Sequence, residues 1–222
     1  MIIAIDGPAG SGKSSTARAV AKELGFRHLD SGAFYRAITY AAMQRGIPAA
    51  EWPQLDAARL ESFDVTAEPV DTGFRMLLAG NDISGPIRRA EVNALVSAMA
   101  RLPAVREWLL GTLRHTARTS DLVADGRDIG TVVFPDADLK IFLVADPVVR
   151  AKRRLQQMGL PTDEAGIAEE VSRIEERDRA DSERDIAPLR QAKDAVLLDT
   201  TLLRFEEQVE RIVLLARERQ QT

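Results

Sequence analysis

Cysteine is absent from the 222 residues of this chain, and histidine occurs only twice, as His28 and His115. Without cysteine there can be no disulfide, no thiolate metal site and no cysteine nucleophile. We assign no chemistry to either histidine. Any metal ion that the protein binds is therefore expected to be held by oxygen atoms.

Long apolar runs are also missing, since none approaches the roughly 20 residues that a membrane-spanning helix needs. The first predicted strand begins at Ile2, so we expect no signal or transit peptide and a soluble, cytoplasmic protein without membrane partners. The hydrophobic content of 45% is enough for one substantial core with a small appended lobe. These features predict a single domain.

The chain has little net charge, −4 at pH 7, with a pI near 5.4, which argues against a general nucleic-acid binder. Lysine is scarce, with 5 residues against 25 arginines. A bias in base composition explains such an excess, but arginine also binds phosphate with two hydrogen bonds. The positions of the arginines must decide between these two interpretations.

The most specific motif is the segment of residues 7–14, GPAGSGKS, which fits G-x-x-x-x-G-K-[ST] without mismatch. It follows the apolar run of residues 2–5 and precedes a stretch with apolar residues at helical spacing. Glycines let successive backbone N–H groups converge on an anion at a helix N-terminus. The motif predicts a phosphate-binding loop in which Lys13 reaches the β- and γ-phosphates and the Ser14 hydroxyl holds Mg²⁺.

We considered two other interpretations of this loop. A dinucleotide-binding G-x-G-x-x-G fingerprint would need glycine where Ser15 stands, so it fails. A glycine-rich turn from strand to helix that binds no ligand remains the structural alternative.

Strands and helices are predicted to alternate along the chain, which indicates an α/β fold with a parallel sheet flanked by helices on both faces. Residues 63–82 break the helical rhythm and predict a small antiparallel hairpin of two or three strands. We expect a helix to begin at Pro86 and a long charged helix to run from about Asp163 towards Pro188. The predicted strands are residues 2–5, 27–30, 122–124, 139–144 and 195–198.

Four stretches carry a family likeness: GPAGSGKSS at 7–15, LDSGAFYR at 29–36, DGRDIGTVVFP at 125–135 and ERDR at 176–179. Together they resemble the bacterial cytidylate kinases over nearly the whole chain, and the run from 126 to 135 is the most specific part. The departures are Ala9, where serine is common in the family, and Phe34, where a smaller aliphatic residue is common. Neither removes a required hydrogen-bond donor.

The resemblance implies a nucleoside monophosphate kinase fold with a P-loop core, a substrate lobe enlarged by the hairpin, and a mobile helical lid. We expect one domain over 1–222, with its core at about 1–57, 101–148 and 186–222, its substrate lobe at about 58–100 and its lid at about 149–166. The implied reaction transfers the γ-phosphoryl group of ATP to CMP or dCMP with the help of Mg²⁺. Both substrates are small molecules, and we expect a monomer.

The resemblance also implies roles for single residues. Lys13, Arg36 and Arg127 are expected to act in catalysis. Apart from the resemblance, the position of Asp125 just past the carboxyl end of a predicted strand makes it a candidate for orienting a water of the Mg²⁺ shell. The lid arginines are expected to close over the triphosphate, and which of them does so stays open. The residues expected to bind ATP are Gly7, Pro8, Ala9, Gly10, Ser11, Gly12, Lys13, Ser14, Ser15, Arg150, Arg153 and Arg154.

The acceptor site implied by the resemblance has three parts. Ser97, Arg106 and Asp128 are expected around the cytosine, with Arg184 near base or phosphate, Arg177 and Asp181 at the ribose, and Ser31, Arg36 and Arg127 near the CMP phosphate. Cytosine carries an amino donor at N4 that a carboxylate such as Asp128 can accept, whereas uracil carries an acceptor there. We therefore expect CMP to be preferred over UMP.

Two further functions remain as alternatives. One is a P-loop kinase for a different small-molecule acceptor, against which the GRD run and the arginine-rich acceptor side argue. The other is a switch or non-catalytic ATP-binding protein, and a GTPase switch is disfavoured because the sequence lacks a guanine-specifying N-K-x-D stretch.

Overall fold

The computed structural model of the chain describes residues 1–221, and Thr222, the last position of the predicted domain, lies outside the described residues. The chain divides into two compact units. The first comprises Met1–His28 together with the chain from Asp121 onward, and the second comprises Leu29–Ser120. No helix within residues 1–221 combines the length and the apolar character needed to cross a membrane.

A five-stranded sheet forms the centre of the first unit and confirms the predicted α/β fold. Its strands are β1 (Ile2–Asp6), β2 (Arg27–Asp30, whose last two residues begin the second unit), β6 (Leu122–Gly126), β7 (Leu139–Val144) and β8 (Val196–Asp199). Their spatial order is β2-β6-β1-β7-β8, and β1 pairs in parallel with both β6 and β7. The carboxyl ends of parallel strands meet at one edge of a sheet, so the segments that follow β1 and β6 emerge side by side.

Of the α-helices described in the first unit, α1 (Lys13–Leu24) packs against β6 and α8 (Phe205–Gln220) packs against β7, whereas α6 (Pro147–Gln157) and α7 (Glu164–Ser182) pack against each other. Helix α1 begins after Gly12 and ends at Gly25, both with positive φ, as a strand-to-helix turn and a C-cap require. Three residues of its predicted apolar stripe, Ala17, Val20 and Ala21, are fully buried and Leu24 is half-buried, and the helix packs against β6 and α8.

Two predicted boundaries in the first unit were wrong. Helix α7 ends at Ser182 rather than near Pro188. The Arg184 side chain donates to the backbone oxygen of Ala187, a residue with φ of 49°, and this contact holds the chain in a turn. Strand β6 also continues through Asp125 and Gly126 instead of stopping at 124, because these residues lie opposite Ile5 and Asp6 of β1.

The second unit contains helices and the predicted hairpin, which is a three-stranded antiparallel sheet of order β3-β4-β5. The predicted helix from Pro86 is instead a 3₁₀ turn, Pro86–Arg88, followed by α4 (Ala90–Met99), because Arg89 has an extended backbone. The Asn93 side chain stabilises this break by donating to the backbone oxygens of Arg88 and Arg89. The elements are α2 (Ser31–Gln44), α3 (Ala57–Glu61), β3 (Val65–Val70), β4 (Gly73–Leu78), β5 (Asn81–Asp82), α4 (Ala90–Met99) and α5 (Pro103–Thr116).

Candidate functional site

The predicted phosphate loop, residues 7–12, connects β1 directly to α1. Gly10 and Gly12 have φ of 71° and 87°, conformations that glycine adopts at little cost. At Gly7 the limit is space, because a Cβ atom would lie 2.2 Å from the carbonyl oxygen of Leu143 on β7. The loop therefore has the backbone shape of an anion nest at the N-terminus of a 12-residue helix.

Lys13, the first residue of α1, is buried beneath this loop. Its Nζ donates to the backbone oxygen of Pro8 at 3.1 Å. Burial, and after it the positive charge of Arg127, lowers the pKa of Lys13 to about 7. A bound polyphosphate would bring negative charge next to Lys13 and so stabilise its protonated form. The surroundings of Lys13 therefore favour an anionic ligand.

Ser14 and Asp125 bring two oxygen ligands together at the carboxyl edge of the sheet. The Ser14 hydroxyl donates to Oδ2 of Asp125 at 2.5 Å, and the other carboxylate oxygen lies 2.7 Å from Nε2 of His28. Within residues 1–221 no group of three or more His, Asp or Glu side chains could hold a metal. One hydroxyl and one carboxylate fit Mg²⁺, which keeps several waters and takes its other ligands from substrate phosphates.

A cavity of about 570 Å³ lies beside the phosphate loop in the first unit. Arg153 lines it and is held there by hydrogen bonds to the hydroxyl and the backbone oxygen of Thr200, at 3.0 and 2.7 Å. Gln208 of α8 also lines it and donates to Thr16 of α1 at 2.9 Å. The other lining residues are Gly10, Gly12, Lys13, Ser14, Ser15, Gln156, Gln157, Leu203 and Phe205.

The three predicted lid arginines occupy different surroundings. Arg153 lines the cavity, whereas Arg154 pairs with Glu170 of α7 at 2.7 Å. Arg150 is buried and donates to the backbone oxygen of Ala9 and to Asp178. In this structure Arg150 thus contacts the phosphate loop itself. A contact with ATP stays a prediction for each of the three arginines.

A cluster of arginines and carboxylates follows β6 in the first unit. Arg127 donates to Asp181 of α7 at 2.6 Å, and Arg184 lies 3.4 Å from Asp128 and 3.8 Å from Asp181. Burial alone would raise the pKa of Asp181, but Arg127, Arg177 and Arg184 together hold it below its usual range. The structure therefore brings together the five predicted acceptor residues of this unit.

Asp6, which the sequence analysis did not single out, holds the backbone of the segment that directly follows Asp128. Its two carboxylate oxygens accept hydrogen bonds from the backbone N–H groups of Ile129 and Gly130, at 2.8 and 2.7 Å. Burial raises the pKa of Asp6 to about 6, with a smaller contribution in the same direction from Asp128. The available signal was an acidic residue at the end of an otherwise apolar strand.

The remaining predicted acceptor residues lie in the second unit, on α2 and on two helices that pack against it. Arg36 pairs with Asp30 at 2.8 Å, and Arg88, which the sequence analysis missed, reaches the same carboxylate at 3.1 Å. Arg106 is buried, with its guanidinium 5.7 Å from the centre of the Tyr35 ring. Ser31 is buried at the start of α2, and Ser97 is half-buried on α4.

A phosphate loop between the first strand and first helix of a parallel sheet defines a P-loop protein. The family model for cytidylate kinase matches residues 3–218. The chain is 43% identical over 219 residues to a cytidylate kinase of an Exiguobacterium species, covering 97% of this chain and 96% of the relative. It is 47% identical to one from Methylococcus capsulatus, covering 94% and 93%. The chain therefore belongs to the cytidylate kinase family.

Two further comparisons concern size and fold. A bifunctional pantoate ligase/cytidylate kinase of a Synechococcus species is 46% identical over 98% of this chain, which spans 41% of that relative. Among solved structures, an uncharacterized protein from Eubacterium ventriosum has a TM-score of 0.53 over 98% of each chain at 11% identity. The latter is a likeness of fold alone.

Proposed function

We propose that this chain transfers the γ-phosphoryl group of ATP to CMP or dCMP, giving ADP and CDP or dCDP. The observation that carries the proposal is that two segments of this member of the cytidylate kinase family, the phosphate loop and the turn after β6, lie side by side. The phosphate loop follows β1 and the turn of Arg127 and Asp128 follows β6, and these strands are direct neighbours. Groups for a phosphoryl donor and for an acceptor nucleotide thus emerge at the same edge of the sheet.

On the donor side, we assign the triphosphate of ATP to residues 7–15 and its nucleoside to the cavity beside them. The size of the cavity, about 570 Å³, suits a ligand of this class. Of the three lid arginines, Arg153 is the first choice for contact with ATP because it lines the cavity, while Arg150 and Arg154 remain part of the proposed site.

On the acceptor side, we assign Asp128, Ser97 and Arg106 to the cytosine and Arg177 and Asp181 to the ribose. Arg184, whose charge faces both Asp128 and Asp181, is assigned to the base or the phosphate. The CMP phosphate is assigned to Ser31, Arg36 and Arg127. In this proposal the chain is one kinase domain with its substrate lobe at about 58–100 and its lid at about 149–166.

The chemistry proposed needs no strong general base, because the attacking oxygen of the CMP phosphate is ionised near neutral pH. The protein instead aligns the two phosphates, and Lys13, Arg36 and Arg127 neutralise the charge on the transferred group. Mg²⁺, when bound, adds its own charge at the donor phosphates, and Ser14 and Asp125 would hold it. Closure of the lid would keep water from the reaction and so prevent hydrolysis of ATP.

We further propose that the protein acts in the cytoplasm and as a monomer. The proposal of a monomer rests on the expectation that the fold can complete its site within one chain. A second function is not proposed, because neither a different acceptor nor a switch is favoured by a contact described above.

The proposal is tested by following ATP labelled at its γ-phosphorus in the presence of CMP and Mg²⁺. The label should appear in CDP and should stay in ATP when CMP or Mg²⁺ is withheld. Label released as inorganic phosphate, or label that stays in ATP with CMP present, would contradict the proposal and favour an ATPase or a non-catalytic ATP-binding protein.

A further inference from the structure

Helices α6 and α7 lie directly against the phosphate loop. Ala9 is 1% exposed and packs with Ala151 of α6 and Ile174 of α7. A Cβ atom at Gly10 would lie 3.3 Å from Cβ of Arg150 and 3.3 Å from Cδ1 of Ile174. The methyl group of Ala9, at a position where serine is common in the family, thus completes an apolar contact between loop and helices.

Polar contacts also join the phosphate loop to α6 and α7. Asp178 of α7 accepts a hydrogen bond from the backbone N–H of Ala9 at 2.7 Å and one from Nη1 of Arg150 at 2.5 Å. Nη1 of Arg150 also donates to the backbone oxygen of Ala9 at 2.8 Å. Asp178, Arg150 and the backbone of Ala9 therefore form a closed set of three contacts, which we call the Ala9 clamp.

The Ala9 clamp lies on the helix that also carries acceptor residues. Asp181 follows Asp178 by three positions, so both carboxylates lie on the same side of α7. Asp181 accepts from Nε of Arg127, and Arg177 adds positive charge beside it. The same helix thus contacts the phosphate loop through Asp178 and the proposed acceptor residues through Asp181.

We propose that Asp178 is a positioning residue that couples the two substrate sites, so that binding of CMP beside Arg177 and Asp181 tightens the hold of the phosphate loop on its nucleotide. This inference rests on the proposed function. CMP orders α7 by contacting it, and an ordered α7 fixes Ala9 through the Ala9 clamp. By linkage, the bound donor nucleotide must then favour CMP by the same factor.

A simple electrostatic role predicts the opposite effect. A carboxylate beside a triphosphate repels it, so removal of that charge would tighten nucleotide binding. Arg150 offsets the charge of Asp178 at 2.5 Å, and the clamp joins three parts of the chain that are far apart in sequence. The geometry therefore favours positioning over repulsion.

The test measures the affinity of ADP by calorimetry with and without saturating CMP, a pair of ligands that cannot react. In the unsubstituted protein we expect CMP to tighten ADP binding about fivefold or more. In Asp178→Asn, whose single amide oxygen cannot replace both carboxylate oxygens of the Ala9 clamp, we expect this ratio to fall to about one and kcat to fall about tenfold to a hundredfold. The matched control is Glu175→Gln, which removes one negative charge from an exposed position of the same helix and should keep the original ratio.

Several results would overturn the inference. These are a ratio of one in the unsubstituted protein, an unchanged ratio in Asp178→Asn, or equal effects of Asp178→Asn and Glu175→Gln. If Asp178→Asn does not fold, Asp178→Glu, which keeps the charge but lengthens the side chain, decides in its place, and an unchanged ratio there contradicts the coupling. Turnover of CMP by the same preparation is scored separately, since its absence would contradict the proposed function itself.

Discussion

Asp128 and Arg184 form a buried ion pair in the turn after β6, with Oδ1 and Nη2 3.4 Å apart. Through its two oxygens a carboxylate can accept hydrogen bonds from several donors at once. The N4 amino group of cytosine is such a donor, and this is the basis for assigning Asp128 to the base.

Asp128→Asn should therefore impair the use of CMP while leaving ADP binding unchanged. Loss of a charge-assisted hydrogen bond is expected to raise KM for CMP about tenfold to a hundredfold. Steady-state kinetics with CMP and calorimetry with ADP measure the two effects. Asp136→Asn, an exposed residue further along the same segment, is the control, and an equal loss of CMP and ADP binding would contradict the role in base recognition.

Asp6 gives a prediction about pH. Its pKa is about 6 in the folded protein, against an ordinary value of 3.8, so folding favours the protonated form. The contribution of Asp6 to stability is complete below pH of about 4 and is lost as the pH rises through about 6, a change of about 3 kcal/mol. The difference in unfolding free energy between the unsubstituted protein and Asp6→Asn should shrink by about this amount between pH 3 and 7. Denaturant unfolding at several pH values measures it, and a constant difference would contradict the assignment.

The sequence allowed a role to be predicted for residues that belong to a recognisable stretch of consecutive positions. Lys13 and Ser14 belong to a motif of eight consecutive positions, and Asp128 belongs to a run that resembles a family. Asp6 and Asp178 were missed because their partners are backbone N–H groups 123 and 169 positions away. Every residue except proline carries such a group, so the sequence contains no sign of which one a carboxylate will contact.

The phosphate loop depends on the contact between Gly7 and β7. In Gly7→Ala the new methyl group would overlap the carbonyl oxygen of Leu143, which would have to move with its strand. We expect a loss of unfolding free energy of about 3 kcal/mol or more, together with loss of nucleotide binding. Thermal and denaturant unfolding measure the first effect, and calorimetry with ADP measures the second.

Gly111→Ala is the matched control for this substitution. Gly111 lies within α5, and a Cβ atom there would have no neighbour within 4 Å. Alanine should stabilise the helix by about 0.5–1 kcal/mol. If Gly7→Ala were as stable as Gly111→Ala, the close approach of the loop to β7 would be refuted.

The kinds of elements were predictable, whereas some of their ends were not. Short apolar runs predicted the five strands, and the break in the helical rhythm at residues 63–82 predicted the hairpin insert. The ends of α7 and of the segment at Pro86 depend on contacts made by single side chains, from Arg184 to Ala187 and from Asn93 to Arg88 and Arg89. Helical propensity and periodicity do not encode such contacts, which form only once the chain has folded.

The order of segments along the whole chain explains how the phosphate loop and the turn of Arg127 and Asp128 come to follow neighbouring strands of one sheet. The chain builds β1, the phosphate loop, α1 and the start of β2, then forms the second unit, and returns at β6. The sequence predicted this alternation and the insert. It did not predict that the second unit extends over Leu29–Ser120, because compactness depends on packing between helices distant in sequence.

The central claim is that the chain is a kinase selective for cytidine monophosphates, and the most direct measurement is ADP release with Mg-ATP and a panel of acceptors. CMP, dCMP, UMP, AMP and a reaction without acceptor are run in parallel. We predict fast turnover with CMP and dCMP, weak turnover with UMP and background rates with AMP or no acceptor. Equal rates with and without acceptor, or turnover with none of the four nucleotides, would contradict the account.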